Sequence, residues 1–465
     1  MFRLHETTRR RSCRTAFVLV CLAPLVAIGG LGAFQRMPLE TALHQRQLGE
    51  QLGLRAKFAR VEHPRPGVTR YVGLELADPE TGQVVFRAKQ MELTLPMGRP
   101  TAGHFASGQI VLVEPQIELD GTDSLRQLLL RALRRELNQH DVDWRVSAET
   151  VEINTRSGRL SWINVSGGFA AAAAASQAWI QFHPAQTATS PQRSAQRAYL
   201  QFVRNREGEL PYTGLKLYTH GAELPCDPFL QLIGIDARLG AKCRFRGYSA
   251  AIPSKEKPIP DVAVLCDDVG WGATIHGGFT NVDLELLAGK ESPHTVEGRA
   301  RLEVAWAEFR DGRLINADCS LRAENGSMSP SLVTSAIDEL GLRGPKPPAG
   351  ATDPIHFDQL AASVTLDSQG LLKITGDCGQ PANGLVLSGS SGHGSVLLKE
   401  PAEQPQSVIG LVRMLLPPGE DLVPASQQAA ALLQWLPLPA GTATTQPSAH
   451  RSDTGVRRQQ GLEQK

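Results

Sequence analysis

The feature that most constrains the fold of this chain is an alternation of apolar and polar residues with a period of two. It is clearest in the segment GVTRYVGLELADPETGQVVFRAKQMELTLP, from Gly67 to Pro96. Because successive side chains of a strand point to opposite faces, this segment predicts two strands that share an apolar face and are joined by the turn 78–82. That face comprises Val72, Leu74, Leu76, Val84, Phe86, Met91 and Leu93. One extra residue near 89–90, a β-bulge, would keep the second strand in phase.

The same alternation recurs between Val296 and Ala323, where Asp311-Gly312 predicts a tight turn. The apolar face of this second hairpin comprises Val296, Ala300, Leu302, Val304, Trp306, Ile315, Ala317, Cys319, Leu321 and Ala323. The 44 glycines and 31 prolines of the chain are typical of many short strands and turns. We therefore predict a mainly β fold with a few short helices. Its apolar faces could be buried in a sandwich, in a closed barrel, or along a long curved sheet whose concave side is a groove.

The N-terminus carries an uncharged, mostly apolar segment, TAFVLVCLAPLVAIGGLGAF, from Thr15 to Phe34. As a helix it would be about 30 Å long, which matches the hydrocarbon core of a bilayer. The basic residues that precede it, and that predict a cytoplasmic N-terminus and an exported body, are Arg9, Arg10, Arg11 and Arg14. The alternative is a signal peptide that is cleaved after Gly32. Both interpretations place the body outside the cytoplasm.

Composition and predicted elements divide the rest of the chain. A helical pattern begins at Pro38 with Leu43, Leu48 and Leu52 on one face, and Ser329-Pro330 is typical of the start of another helix. A third helix, rich in Arg and Leu, is predicted after 123. The predicted regions are a basic cytoplasmic N-terminus at 1–14, a transmembrane anchor at 15–34, a β/α region at 35–145, a β-rich region at 146–343, a further β region at 355–400, amphipathic helices at 405–436 and a disordered tail at 437–465.

Charge and motifs argue against several classes of function. Basic and acidic residues number 48 and 47, and aromatic residues make up 5%, so the chain offers neither a field nor stacking platforms for nucleic acid. It contains no P-loop, dinucleotide fingerprint, zinc-protease or nucleophile-elbow motif. We therefore predict no catalytic residue, no metal and no cofactor.

Two weaker candidates for chemistry are better explained by structure. The segment GSSGHG, from Gly389 to Gly394, lies between two strand-like runs and is typical of a turn. Asp267, Asp268 and His276 could ligate a metal, but adjacent residues of a strand point to opposite faces. The 12 histidines are scattered, and we interpret each as a surface or hydrogen-bonded core residue.

Seven cysteines occur in the chain, five of them in the predicted body. None of them shows the paired spacing of a zinc site or a redox motif. Cys226 and Cys243 are candidates for a disulfide bond. The favoured interpretation is that the body carries scattered, buried thiols.

Two parts of the chain resemble a known family. The segment LGLRAKFARVEHPRPGVTRYVGLELADPETGQVVFRAKQMELTLP, from Leu52 to Pro96, is followed by IVLVEPQIEL and the predicted Arg/Leu helix. Together with the anchor, over 15–137, this order resembles the start of AsmA-like proteins. The segments IHFDQLAASVTLDSQGLLKITGDC and GLVLSGSSGHGSVLL, within 355–398, are similar to the C-terminal region of that family. The chain is much shorter than the large members of the family.

The resemblance implies an elongated, twisted antiparallel sheet whose apolar face forms a hydrophobic groove, held at the inner membrane and projecting into the periplasm. It also implies a role in phospholipid movement and outer-membrane integrity. On this interpretation the apolar face of the first hairpin, from Val72 to Leu93, lines the membrane-proximal mouth of the groove. The implied partners are phospholipid acyl chains, the inner membrane and other envelope proteins. The alternative is an exported structural or interaction protein in which a closed β-sandwich buries the same residues.

Overall fold

A computed structural model describes residues 38–95, 107–118, 142–414 and 436, except for segments at 156–157, 173, 186–196, 208–210, 228–238, 241, 249–258, 268–269, 289–292, 312, 380–382 and 393. The predicted anchor, the four basic residues Arg9, Arg10, Arg11 and Arg14, the Arg/Leu helix and the predicted tail therefore lie outside the described residues. Among the helices that are described, none is long and apolar enough to cross a membrane.

The described residues form one large sheet of 22 strands with short helices at its two ends and in its middle. The strands are β1 (Arg55–Lys57), β2 (Arg60–Arg65), β3 (Val68–Ala77), β4 (Val84–Thr94), β5 (Ser107–Val113), β6 (Gln116–Glu118), β7 (Val142–Thr155), β8 (Gly158–Ala171), β9 (Ala175–Pro184), β10 (Ala198–Asn205), β11 (Tyr212–Tyr218), β12 (Leu224–Pro225), β13 (Arg244–Gly247), β14 (Val262–Cys266), β15 (Trp271–Asp283), β16 (Val296–Arg310), β17 (Arg313–Met328), β18 (Ile355–Leu366), β19 (Leu371–Gly376), β20 (Leu385–Ser391), β21 (Gly394–Lys399) and β22 (Gln406–Ser407). The helices are α1 (Pro38–Leu52), α2 (Leu284–Ala288), α3 (Pro330–Leu340) and α4 (Val408–Met414). The prediction of a mainly β fold with few short helices is confirmed.

Most strands pair with the next strand along the chain, so that the sheet is a long meander. Antiparallel pairing joins β7 through β11 in order, and β14 through β18 in order, with β11 paired to β14. The exception to antiparallel pairing is β7, which pairs in parallel with β5 and β6. The prediction of a wholly antiparallel sheet is therefore wrong at this position. A parallel pair needs a long crossover, and the chain between Glu118 and Val142 is long enough for one.

The first predicted hairpin is formed by β3 and β4. Buried pairs lie on both sides of its middle, with Tyr71 opposite Met91 and Leu74 opposite Ala88. The predicted extra residue near 89–90 is not present in this ladder, because the register is the same before and after it. Instead, both strands switch the set of alternate residues that faces the core at the same point, between Tyr71 and Leu74 in β3 and between Ala88 and Met91 in β4. Gly73 lies at this point and adopts a φ of 69°, in the left-handed region that a glycine enters without steric cost.

Helix α3 begins and ends as its sequence predicts. The Ser329 side chain accepts a hydrogen bond from the Leu332 backbone N–H, Pro330 occupies the first turn, and Gly341 ends the helix with a φ of 68°. The helix buries Val333 and packs against α4 over one end of the sheet.

Two clusters of buried side chains stabilise the sheet. The N-terminal core lies between α1 and the first strands, and comprises Leu54, Ala56, Phe58, Tyr71, Leu74, Leu76, Val85, Ala88 and Met91. The main core extends along one face of the sheet from Ala148 in β7 to Val412 in α4, and it also includes Leu436. The predicted regions 146–343, 355–400 and 405–436 thus contribute to one continuous core.

Cys226 and Cys243 form a disulfide bond, with their Cα atoms 5.4 Å apart and both residues buried. The favoured interpretation of scattered thiols is therefore wrong for this pair, whose spacing in the sequence carried no motif. Cys266, Cys319 and Cys378 have no disulfide partner among the described residues. Burial raises the pKa of Cys319 to about 11, so this thiol is a weak nucleophile at neutral pH.

Removing the disulfide is expected to destabilise the folded chain. The bond joins residues 17 positions apart, and a bridge that closes a loop of this size contributes about 3 kcal/mol to the free energy of unfolding. The change Cys243→Ser should therefore lower the urea midpoint followed by far-UV circular dichroism. The exposed Cys266→Ser is the matched control and should leave the midpoint unchanged. A wild-type midpoint that a reducing agent does not alter would contradict the assignment.

Candidate functional site

Two rows of apolar side chains cross the middle of the sheet on one face, each row running from strand to strand. In the inner row the directly opposed residues are Ile180, Leu200, Leu217, Val262, Ile275, Ala307, Ala317, Leu366 and Leu372. In the outer row they are Ala178, Phe202, Leu215, Val264, Ala273, Phe309 and Leu314. The members of the two rows on a given strand are separated by one residue in β9 through β16, which places both rows on the same face.

Burial decreases across this face from the inner row to the strand ends. Leu217 in the inner row is 1% exposed, and Leu215 in the outer row is half-buried. One alternation further, Cys266 and Trp271 lie opposite each other at the ends of β14 and β15, and Trp271 is 41% exposed. The apolar face is therefore closed over the inner row and open at the rim formed by these strand ends.

The opposite face of the same strands carries polar and aromatic side chains. Trp179, Tyr199 and Tyr218 follow each other across β9, β10 and β11, with ring centroids 6.3 Å and 6.0 Å apart. Partial burial raises the pKa of both tyrosines, so they remain neutral at physiological pH. Lys216 also belongs to this face, since it lies between Leu215 and Leu217 in a strand. The alternation in the sequence thus produces two chemically different faces.

The seven predicted lining residues of the first hairpin belong to a different part of the sheet. Leu74, Leu76 and Met91 are buried at 1%, 8% and 8% exposure, and Phe86 and Leu93 are partly buried beside them. Val72 and Val84 are half-buried. The helix α1 covers this face with Leu48 and Leu52, whereas Leu43 of the predicted apolar stripe is 46% exposed.

A polar cluster lies beside the N-terminal core, where the sequence suggested only isolated histidines. Glu40 and His44 are one turn apart on α1, and His63 comes from β2. The Glu40 Oε1 atom is 2.9 Å from His63 Nε2 and 4.0 Å from His44 Nε2. The ligand-capable atoms of the three residues lie within 4.8 Å of one another. Both histidines are hydrogen-bonded, as the sequence interpretation expects, but their convergence on one carboxylate was not predicted.

Burial shifts the pKa values of His44 and of the neighbouring Tyr71. It lowers the pKa of His44; the nearby Glu40 carboxylate partly offsets the effect and His63 adds to it. Burial also raises the pKa of Tyr71, whose hydroxyl lies 3.1 Å from His44 Nδ1, to about 12, with a further contribution from Glu40. His44 is thus held neutral with a lone pair on one ring nitrogen. The available sequence signal was the Glu-x-x-x-His spacing on a predicted helix.

The weaker candidates from the sequence do not form a site among the described residues. Asp267 Oδ1 accepts a hydrogen bond from the Gly270 backbone N–H at 2.9 Å, and His276 Nδ1 lies 2.9 Å from the Ala305 carbonyl oxygen. Asp268 and His393 are outside the described residues. The turn predicted in GSSGHG is confirmed, because β20 and β21 pair there as a hairpin with Ser391 opposite Gly394.

Comparison with known proteins adds no further constraint. No family model, curated protein or solved structure matches the chain. The candidate sites are consequently the open apolar face of the sheet and the cluster formed by Glu40, His44 and His63.

Proposed function

We propose that this chain is a membrane-anchored envelope protein, similar to AsmA-like proteins, that binds the acyl chains of phospholipids on the open apolar face of its sheet. The observation that supports this most directly is the outer row, whose apolar side chains are half-buried across seven strands. A row of that kind leaves apolar surface that an acyl chain would cover. Binding gains about 0.8 kcal/mol for each CH₂ group that leaves water.

The length of the outer row suits such a ligand. Strands are spaced by about 4.8 Å, so a row that crosses from β9 to β17 through six intervals is about 30 Å long. The hydrocarbon of one bilayer leaflet is about 15 Å thick, which is half of the bilayer core. A single acyl chain therefore fits within the row, and no catalytic residue is needed to hold it.

The disulfide bond supports the exported location of this body. Structural disulfides persist in oxidising compartments and are rare in the cytosol. Cys226 and Cys243 both lie in the predicted body, beyond the predicted anchor at 15–34. An anchored chain with its body in the periplasm, acting in outer-membrane lipid homeostasis, is consistent with both features.

A second candidate function is an exported structural or interaction protein with a closed core. The observation that favours it is the burial of Leu74, at 1% exposure, beneath α1. If similar covers extend along the whole sheet, the apolar face would only stabilise the fold. Because α1 covers the first hairpin, we place the lipid on the outer row and not on that hairpin.

Lipid binding is tested on the full chain purified from membranes. A photoreactive phospholipid should crosslink to wild-type protein, and peptide mapping should place the adducts on β11, β14 and β15. The change Val264→Asp should reduce crosslinking to background, because a carboxylate on the outer row repels an apolar chain. Leu265→Asp is the matched control: it lies next to Val264 on the other face, is 48% exposed, and should crosslink like wild type. Equal labelling of the two variants, or no labelling of folded wild type, would refute the proposal.

A further inference from the structure

We propose that Glu40, His44 and His63 form a Zn²⁺ site that joins α1 to β2. Their arrangement has the form of a chelate, because one element supplies two ligands one helical turn apart and a second element supplies the third. The ligand-capable atoms already lie within 4.8 Å of one another. The inference is independent of lipid binding on the outer row.

The first observation that carries the proposal is an unpartnered oxygen. Glu40 is 7% exposed, and its Oε2 atom is buried without a hydrogen-bond partner among the described residues. A buried carboxylate oxygen without a partner carries a desolvation cost that native proteins usually avoid. A cation at the junction of the three side chains would remove this cost if both oxygens of the Glu40 carboxylate bind it.

The second observation is the set of contacts made by the far ring nitrogens. His44 Nδ1 lies 3.1 Å from the Tyr71 hydroxyl, and His63 Nδ1 lies 3.5 Å from the Thr69 hydroxyl. A histidine that binds metal through one ring nitrogen nearly always donates its other N–H to an oxygen. Both rings are placed for this, since each directs Nε2 to the same carboxylate and Nδ1 to a hydroxyl on β3.

The donor set favours zinc over magnesium and calcium. Two imidazole nitrogens and one carboxylate oxygen suit Zn²⁺, whereas Mg²⁺ and Ca²⁺ prefer oxygen ligands alone. Zinc bonds of about 2.0–2.1 Å in a tetrahedral site place ligand atoms about 3.3 Å apart. The side chains of His44 and His63 are each 26% exposed, so they can make the small adjustment, and water can complete the coordination.

A metal bound at this position would link α1, which packs over the N-terminal core, to β2. Helix α1 holds Leu48 and Leu52 over the first hairpin, and β2 is paired to β3 beneath it. A ligand that binds only the folded form stabilises it in proportion to its affinity and concentration. Zinc would therefore strengthen the attachment of α1 to the sheet directly after the predicted anchor.

The test uses the full chain, purified in detergent with a tag that contains no histidine and freed of metal by a chelator. Isothermal titration with Zn²⁺ should show a single site, and Mg²⁺ should not bind there. His63→Ala and Glu40→Gln should each lose that site while keeping the wild-type far-UV spectrum. The exposed His356→Ala is the matched control and should bind like wild type.

Tyr71→Phe provides a finer readout because it keeps the ring and removes only the hydroxyl. Losing the outer partner of a ligating histidine lowers metal affinity by about 10- to 100-fold, so this variant should bind Zn²⁺ about 10-fold more weakly. Wild type that binds no Zn²⁺, or a folded His63→Ala or Glu40→Gln variant that binds as tightly as wild type, would overturn the proposal. A variant that no longer crosslinks lipid but still binds Zn²⁺ would show that the zinc site is independent of the lipid site.

Discussion

Replacing Leu217 by aspartate is expected to unfold the main core of the chain. Leu217 is 1% exposed and lies in the inner row between Leu200 and Val262, which are also buried. An unpaired carboxylate in such surroundings costs several kcal/mol, in addition to the lost packing of the leucine. Since a domain is stable by only about 5–15 kcal/mol, this one change removes a large part of the total. Urea denaturation followed by far-UV circular dichroism would measure the loss.

The matched variant Leu215→Asp separates the two candidate functions. Leu215 is the neighbour of Leu217 on the same face, but it is half-buried in the outer row. A carboxylate there can reach water, so the variant should remain folded and should lose phospholipid crosslinking. If Leu215→Asp unfolds as completely as Leu217→Asp, the outer row belongs to a closed core, and the structural alternative is favoured.

Local patterns in the sequence predict local structure well in this chain. The alternation predicted the β3–β4 and β16–β17 hairpins, and Ser329-Pro330 predicted the start of α3. The same alternation failed at Trp306. A register shift after Val304 places Trp306 opposite Asp318 and puts Ala307 on the apolar face. Both Trp306 and Ala307 are apolar, so the pattern contained no sign of the shift.

The candidate sites depend on contacts between distant parts of the chain, which a single sequence does not reveal. The inner and outer rows exist only because nine strands pair in one particular register. The disulfide and the polar cluster are similar cases, since Cys226 meets Cys243 across a loop, and His63 reaches Glu40 only after β2 folds back beside α1. The sequence therefore predicted an amphipathic sheet, while the position of its open surface required the tertiary structure.

Phe357→Ala is expected to be among the most destabilising truncations in the C-terminal part of the sheet. Phe357 lies in β18, is 2% exposed, and pairs with Gly326 on one side and Gly389 on the other. Its ring occupies the space that a side chain at Gly326 would take, since a Cβ added there would lie 2.2 Å from Phe357 Cζ. An aromatic ring that covers a neighbouring glycine in this way stabilises strand pairing.

Truncation would therefore leave a cavity and expose the backbone at Gly326 in the neighbouring strand. Loss of a buried phenylalanine costs about 3–5 kcal/mol, and the absence of a side chain at Gly326 prevents the cavity from closing on that side. Leu371→Ala, in the adjacent strand β19 at 39% exposure, is the control and should change the stability by less than about 0.5 kcal/mol. Equal urea midpoints for the two variants would show that the ring does not support the pairing of β17, β18 and β20. A lower urea midpoint for Phe357→Ala alone would mean that this ring supports the pairing of these strands.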